Sequence, residues 1–171
     1  MSAEQDKGED TAMYQRSMFI LEASESQLCD YGLRLTSDYP TTAVRFVRGK
    51  KMRKVDSLFD EVSAACQFPY YFGENWPAFA ECLGDLTWLN SSAFILIISD
   101  FEEILADEEM ELGALGRALA SAVDEFNRSN KNTTSHDSSM QLIFNCKLDG
   151  IRSKRSMIDE IGKPTILKLN A

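Results

Sequence analysis

The feature that most constrains this 171-residue chain is a run of six consecutive apolar residues, Ala93, Phe94, Ile95, Leu96, Ile97 and Ile98. Successive side chains of a strand point to opposite faces, so a strand with one wet face alternates apolar and polar residues. A strand without alternation needs cover on both faces, as inner strands of parallel sheets have when helices flank them. The run therefore predicts a buried central strand in an α/β fold. It is too short to cross a bilayer, which takes about 18 apolar residues or more. With 44% apolar residues the chain has material for one real core.

The flanking patterns agree. Residues 43–47 (AVRFV) alternate with arginine and predict a strand. Val55, Leu58, Phe59, Val62 and Cys66 fall at helical spacing, with Asp56, Asp60 and Glu61 off that stripe, so 54–67 is an amphipathic helix. Asn75 can cap a second helix in which Pro77 is tolerated because it lies in the first turn. Phe79, Cys82, Leu83 and Leu86 form its apolar face. Leu112, Leu115, Leu119, Val123 and Phe126 define a third helix, and 140–144 is a second buried strand. Short strands are expected at 17–21 and 165–169, a short helix ending across 159–162, a loose tail over 1–14 and a polar loop over 127–139. The order strand–helix–helix–strand–helix–strand favours a small parallel sheet with crossover helices.

Charge narrows the function. The chain carries 18 basic and 27 acidic residues, a net −9, which argues against non-specific nucleic-acid binding because phosphates would be repelled. The excess is local. Residues 68–99 hold three acidic groups and no basic one, and residues 100–146 hold ten against three. A partner for that surface should be basic. The acidic, polar opening MSAEQDKGED does not read as a secretory signal. A cytoplasmic protein with reduced thiols is expected. Cys29, Cys66, Cys82 and Cys146 contain no Cys-x-x-Cys pair, and the last three sit in apolar patterns as core residues. The single histidine, His136, lies in a polar stretch with no second His to share a metal or a catalytic pair. There is no Gly-rich phosphate loop and no Gly-x-Ser-x-Gly. Glu81 and Asp85, four residues apart, could serve as an acid–base pair, but solvated carboxylates on a helix face are the ordinary case. A binding protein without cofactor, metal or catalytic residue is expected, with neither nucleic acid nor membrane as a direct partner.

The segment 68–86, FPYYFGENWPAFAECLGDL, holds six aromatics (Phe68, Tyr70, Tyr71, Phe72, Trp76, Phe79) beside Glu74, Glu81 and Asp85. Aromatics next to unpaired carboxylates suit a protein interface. The same aromatics suit a core, and the residues alone leave both readings open.

Tyr71-Phe72-Gly73-Glu74-Asn75-Trp76 followed by Ala78-Phe79-Ala80-Glu81-Cys82-Leu83 resembles the barstar family of intracellular ribonuclease inhibitors. The flanking strands and helices follow that family's order over about residues 43–146, leaving extensions at 1–42, partly disordered with one short strand, and 147–171. The resemblance implies a three-stranded parallel sheet packed against helices. It also implies a loop and second helix that plug a basic ribonuclease cleft, with carboxylates standing in for phosphates. Carried over by position, Glu81 takes the central acidic place. Tyr71, Gly73, Asn75 and Trp76 fall on loop and helix-start contacts, and the acidic contact of the later helix falls on Glu125, with Asp124 as the neighbouring alternative. Pro77 stands where an acidic contact is common, and Ala80 where the best-known member has tryptophan. The resemblance thus implies an inhibitor or immunity protein against a nuclease toxin. The alternative is a barstar-fold module recruited to a non-nuclease partner.

Overall fold

A computed structural model of the chain describes residues 17–130, 139–147, 150–162 and 164–167. Five strands form one sheet: β1 Met18–Leu21, β2 Thr42–Arg48, β3 Ala93–Ser99, β4 Met140–Asn145 and β5 Thr165–Leu167. All pairings are parallel, in the order β2-β3-β4-β1-β5. Five helices connect them: α1 Glu25–Asp38, α2 Val55–Cys66, α3 Trp76–Asp85, α4 Leu112–Ser129 and α5 Arg155–Ile161.

The sheet therefore has five strands where three were expected. The addition comes from the two ends of the chain. β1 lies between β4 and β5, so the terminal segments complete the sheet of the central unit. The step from β1 to β2 runs toward one edge, and every later step runs toward the other. Parallel crossovers are right-handed, so a reversal of direction puts the connecting helix on the opposite face. Accordingly α1 alone covers one face, where Leu28 and Leu35 pack on Phe19, Leu21, Ile95, Ile97 and Ile143. Helices α2 to α5 cover the other, over Ile20, Phe94, Leu96, Ile98, Leu142 and Phe144. This is why 93–98 has no polar position: its odd and even side chains enter two different cores. Strand β2 is an edge strand, and its two arginines, Arg45 and Arg48, fit that place.

Helix α1 has few apolar residues, and its start signal is local. The Ser24 side chain accepts from Gln27 N at 3.3 Å, and the Gln27 side chain accepts from Ser24 N at 3.0 Å. This reciprocal cap satisfies two amides that helix geometry leaves open.

One further expectation changes. Helix α4 runs through Ser129 and takes the first three residues of the expected polar loop; His136 and the stretch 131–138 lie outside the described residues. The basic segment near the C-terminus packs on the body. Lys154 is 1% exposed, and Met157 and Ile158 are buried. At Gly116 of α4 an added Cβ would stand 2.7 Å from the Met157 carbonyl oxygen, so only glycine admits α5 this closely. Burial pushes the Lys154 ammonium below its ordinary pKa, against the opposing pull of Glu109 and Glu103.

Candidate protein-binding site

The six aromatics of 68–86 divide between core and surface. Gln67, in left-handed backbone, ends α2 and turns the chain so that Phe68 packs inward. Phe68 meets Phe72 edge-on at 5.1 Å; Phe72 meets Phe59 at 5.6 Å; Trp76 meets Phe59 at 5.0 Å and Phe79 at 5.9 Å. Edge-on pairs of this kind add about 0.5–1.5 kcal/mol each beyond their burial. Tyr70 and Tyr71 point away from this cluster, the first fully exposed and the second 68% exposed. Four aromatics thus fix the loop and two are left on its surface.

The start of α3 is built by Asn75. Its Oδ1 accepts from Ala78 N at 3.0 Å, the N-cap bond, while its Nδ2 donates to the Gly73 carbonyl at 2.9 Å. Asn75 therefore ties the exposed turn at Gly73 to the helix. Glu74 between them is exposed and sits in left-handed backbone, φ 47°. Trp76 at the first helical position is half-buried, and its Nε1 donates to Glu111 Oε2 at 3.0 Å. That bond joins α3 to the turn that leads into α4.

Along α3, Trp76, Ala80 and Gly84 recur every four residues on the flank toward α4. A Cβ at Gly84 would stand 3.0 Å from Glu125 Cβ and 3.3 Å from the Ala122 carbonyl. The small residue lets α4 approach and brings Glu125 beside the same surface as α3. Ala80 packs on the core edge, where a larger aromatic would have to stand outside it. Pro77 and Glu81 are exposed on the outer side of the helix.

The two acidic positions differ in electrostatic state. Glu81 forms no ion pair and no hydrogen bond with any described residue. Its charge is felt inside: the Cys82 thiol is pushed up first by burial, then by Glu81 and Asp85. Cys66, deeper in the core, is pushed to about 12 by burial. Glu125 instead accepts from Arg128 Nη1 at 2.5 Å and from Ser129 Oγ at 3.1 Å, with half of its side chain exposed. Asp124 next to it is exposed. Tyr71, Gly73, Asn75, Trp76, Pro77, Ala80 and Glu81 thus lie on one continuous loop and helix, with Glu125 joined to them across Gly84.

Sequence reasoning did not reach Glu111, Met110 or Arg128. Met110 is 97% exposed on the short 3-10 turn Glu109–Glu111. The i,i+3 spacing of Glu125 and Arg128 was a readable signal for their pairing. Nothing in the sequence marked Glu111 as the partner of Trp76. Among the described residues no group of three or more His, Cys, Asp or Glu is placed to hold a metal ion, and no helix is long and apolar enough to cross a membrane.

The described residues form a parallel α/β domain with an exposed, acidic, tyrosine-bearing loop and helix. The chain is a member of the barstar family: the family model described as "Barstar (barnase inhibitor)" matches residues 42–136, more than half of its length. No curated protein matches it. Among solved structures it is similar to the ORC2 protein of Aeropyrum pernix, solved as ADPNP-ADP complexes, with 11% identity and a TM-score of 0.50 over 98% of this chain. This chain spans 48% of that one, and the likeness is of fold alone.

Proposed function

We propose that this protein binds and blocks the active site of a basic ribonuclease through the loop from Phe68 to Asn75 and helix α3. The observation that carries the proposal is Glu81: an exposed carboxylate with no partner among the described residues, on a helix whose start Asn75 caps, after a loop that exposes Tyr71. A ribonuclease cleft concentrates cationic side chains to hold phosphate, and a fixed carboxylate can take a phosphate's place. Blocking requires no chemistry by the inhibitor, so the protein works as a binder and not as an enzyme. Tyr71 supplies rigid contact area, Gly73 lets the partner approach the backbone, and Pro77, Ala80 and Glu125 border the contact. In this reading it is a cytoplasmic immunity protein or antitoxin.

Pro77, Ala80 and the Glu125–Arg128 pair favour one second reading, a barstar-fold module with a non-nuclease partner. Each removes a charge or an aromatic from the surface that would meet a ribonuclease. A pull-down and activity assay with ribonucleases of the same genome separates the two. Inhibition in proportion to added protein supports the first reading; binding only to proteins without nuclease activity supports the second.

A further inference from the structure

We infer that the binding surface has a second lobe, the 3-10 turn Glu109–Glu111, with Met110 as its apolar anchor and the partner's basic rim as its counterpart. This rests on the ribonuclease-inhibitor reading and adds residues that the loop and α3 do not include. Met110 is 97% exposed, whereas the other large apolar residues of its loop, Phe101, Ile104 and Leu105, are buried. A large apolar side chain held wholly in water on a rigid turn is a feature of contact surfaces, where methionine is enriched.

The turn is rigid for stated reasons. The Glu108 carboxylate accepts from Val55 N at 2.8 Å, and Glu111 N donates to the Glu108 carbonyl at 2.9 Å. Leu105 N and Asp107 N donate to the carbonyls of Met52 and Arg53 at 2.8 and 3.1 Å. The Arg53 guanidinium bridges Glu103 and Asp107. The bond from Trp76 to Glu111 then sets this turn against the start of α3, next to Pro77. A side chain presented on such a frame loses little freedom on binding.

The placement fits what α3 lacks. With Pro77 and Ala80 in place, α3 is short of one carboxylate and one large apolar contact. The turn beside it offers Glu109 and Met110. The counterpart is an apolar notch beside the partner's cleft, bordered by Lys or Arg that Glu109 can face.

The test uses the full chain and barnase, with affinity measured by calorimetry for wild type, Met110→Ala, Met110→Lys, Glu81→Ala and Leu33→Ala. Leu33 is 64% exposed on α1, across the sheet, and controls for the loss of any surface leucine-sized group. Met110→Ala is expected to weaken binding about tenfold and Met110→Lys about a hundredfold, as at a contact hot spot. Leu33→Ala should bind as wild type, and all variants should melt with it. If both Met110 variants bind as wild type while Glu81→Ala does not, the second lobe is wrong and the inhibitor reading stands. If wild type binds neither barnase nor any ribonuclease of its own genome, both are overturned.

Discussion

Two acidic regions of this protein share a composition and differ in use. Glu74, Glu81 and Asp85, on and before α3, are exposed and form no ion pair with any described residue. Glu103, Asp107, Glu108, Glu111 and Glu125, from the β3–α4 connection and α4, are engaged with Arg53, the Val55 amide, Trp76 and Arg128. The second region carries more negative charge in sequence, yet much of it is tied to groups of the same chain. The first carries less, and all of it is available to a partner. Net charge by segment therefore overstates the recognition value of one region and understates that of the other.

The contrast yields experiments of decreasing size. Exchanging Glu81 for Ala should weaken binding to a barnase-type ribonuclease by about 2 kcal/mol or more, roughly 30-fold. It should leave thermal stability unchanged, since Glu81 has no partner among the described residues. Glu111→Ala should behave conversely. It removes a charge-assisted bond from a half-buried indole and should cost about 1.5 kcal/mol of stability, read as a fall in Tm of several degrees. A large binding loss with Glu111→Ala and none with Glu81→Ala would reverse the assignment of the two regions.

The engaged region also extends to a buried cation. Lys154→Met, which replaces a buried ammonium by an apolar side chain of similar length, should raise stability near neutral pH by about 1 kcal/mol, or about 2–4 °C in Tm. The sign of its pH dependence follows from the depressed pKa of Lys154. In the window between the folded and the unfolded pKa, the unfolded chain holds the proton and the folded chain does not, so wild-type stability rises with pH there. The advantage of Lys154→Met should therefore shrink as pH climbs through that window, in melts of the two proteins side by side. The smallest effect belongs to Arg128→Ala. Freeing Glu125 should tighten ribonuclease binding two- to fivefold at low salt, the value of an exposed ion pair, and less as salt rises.

Much of this fold was legible in the sequence because its signals are local. The run 93–98, the stripe from Val55 to Cys66, the Asn75 cap with Pro77 behind it, and the α4 leucines each report their element through spacing alone. Helix α1 was missed because its buried apolar residues, Leu28 and Leu35, lie two turns apart with Gly32 between. Its Ser24–Gln27 capping box was the readable sign. The strands at both ends were visible as short apolar runs, but their insertion beside β4 is a long-range pairing that no local pattern carries. Site geometry follows the same division. The exposure of Tyr70 and Tyr71 against the burial of Phe68, Phe72 and Phe79 depends on tertiary packing, and so does the reach of Trp76 to Glu111.

The central claim is that the free carboxylate of α3 occupies the place of an RNA phosphate. It is met most directly by competition. Barnase bound to a short, non-cleavable RNA analogue is titrated with this protein, and the bound RNA is followed by fluorescence anisotropy. The account predicts that the protein displaces the RNA one for one and that Glu81→Ala displaces it far less. A ternary complex, with RNA and protein held on the ribonuclease together, would contradict it.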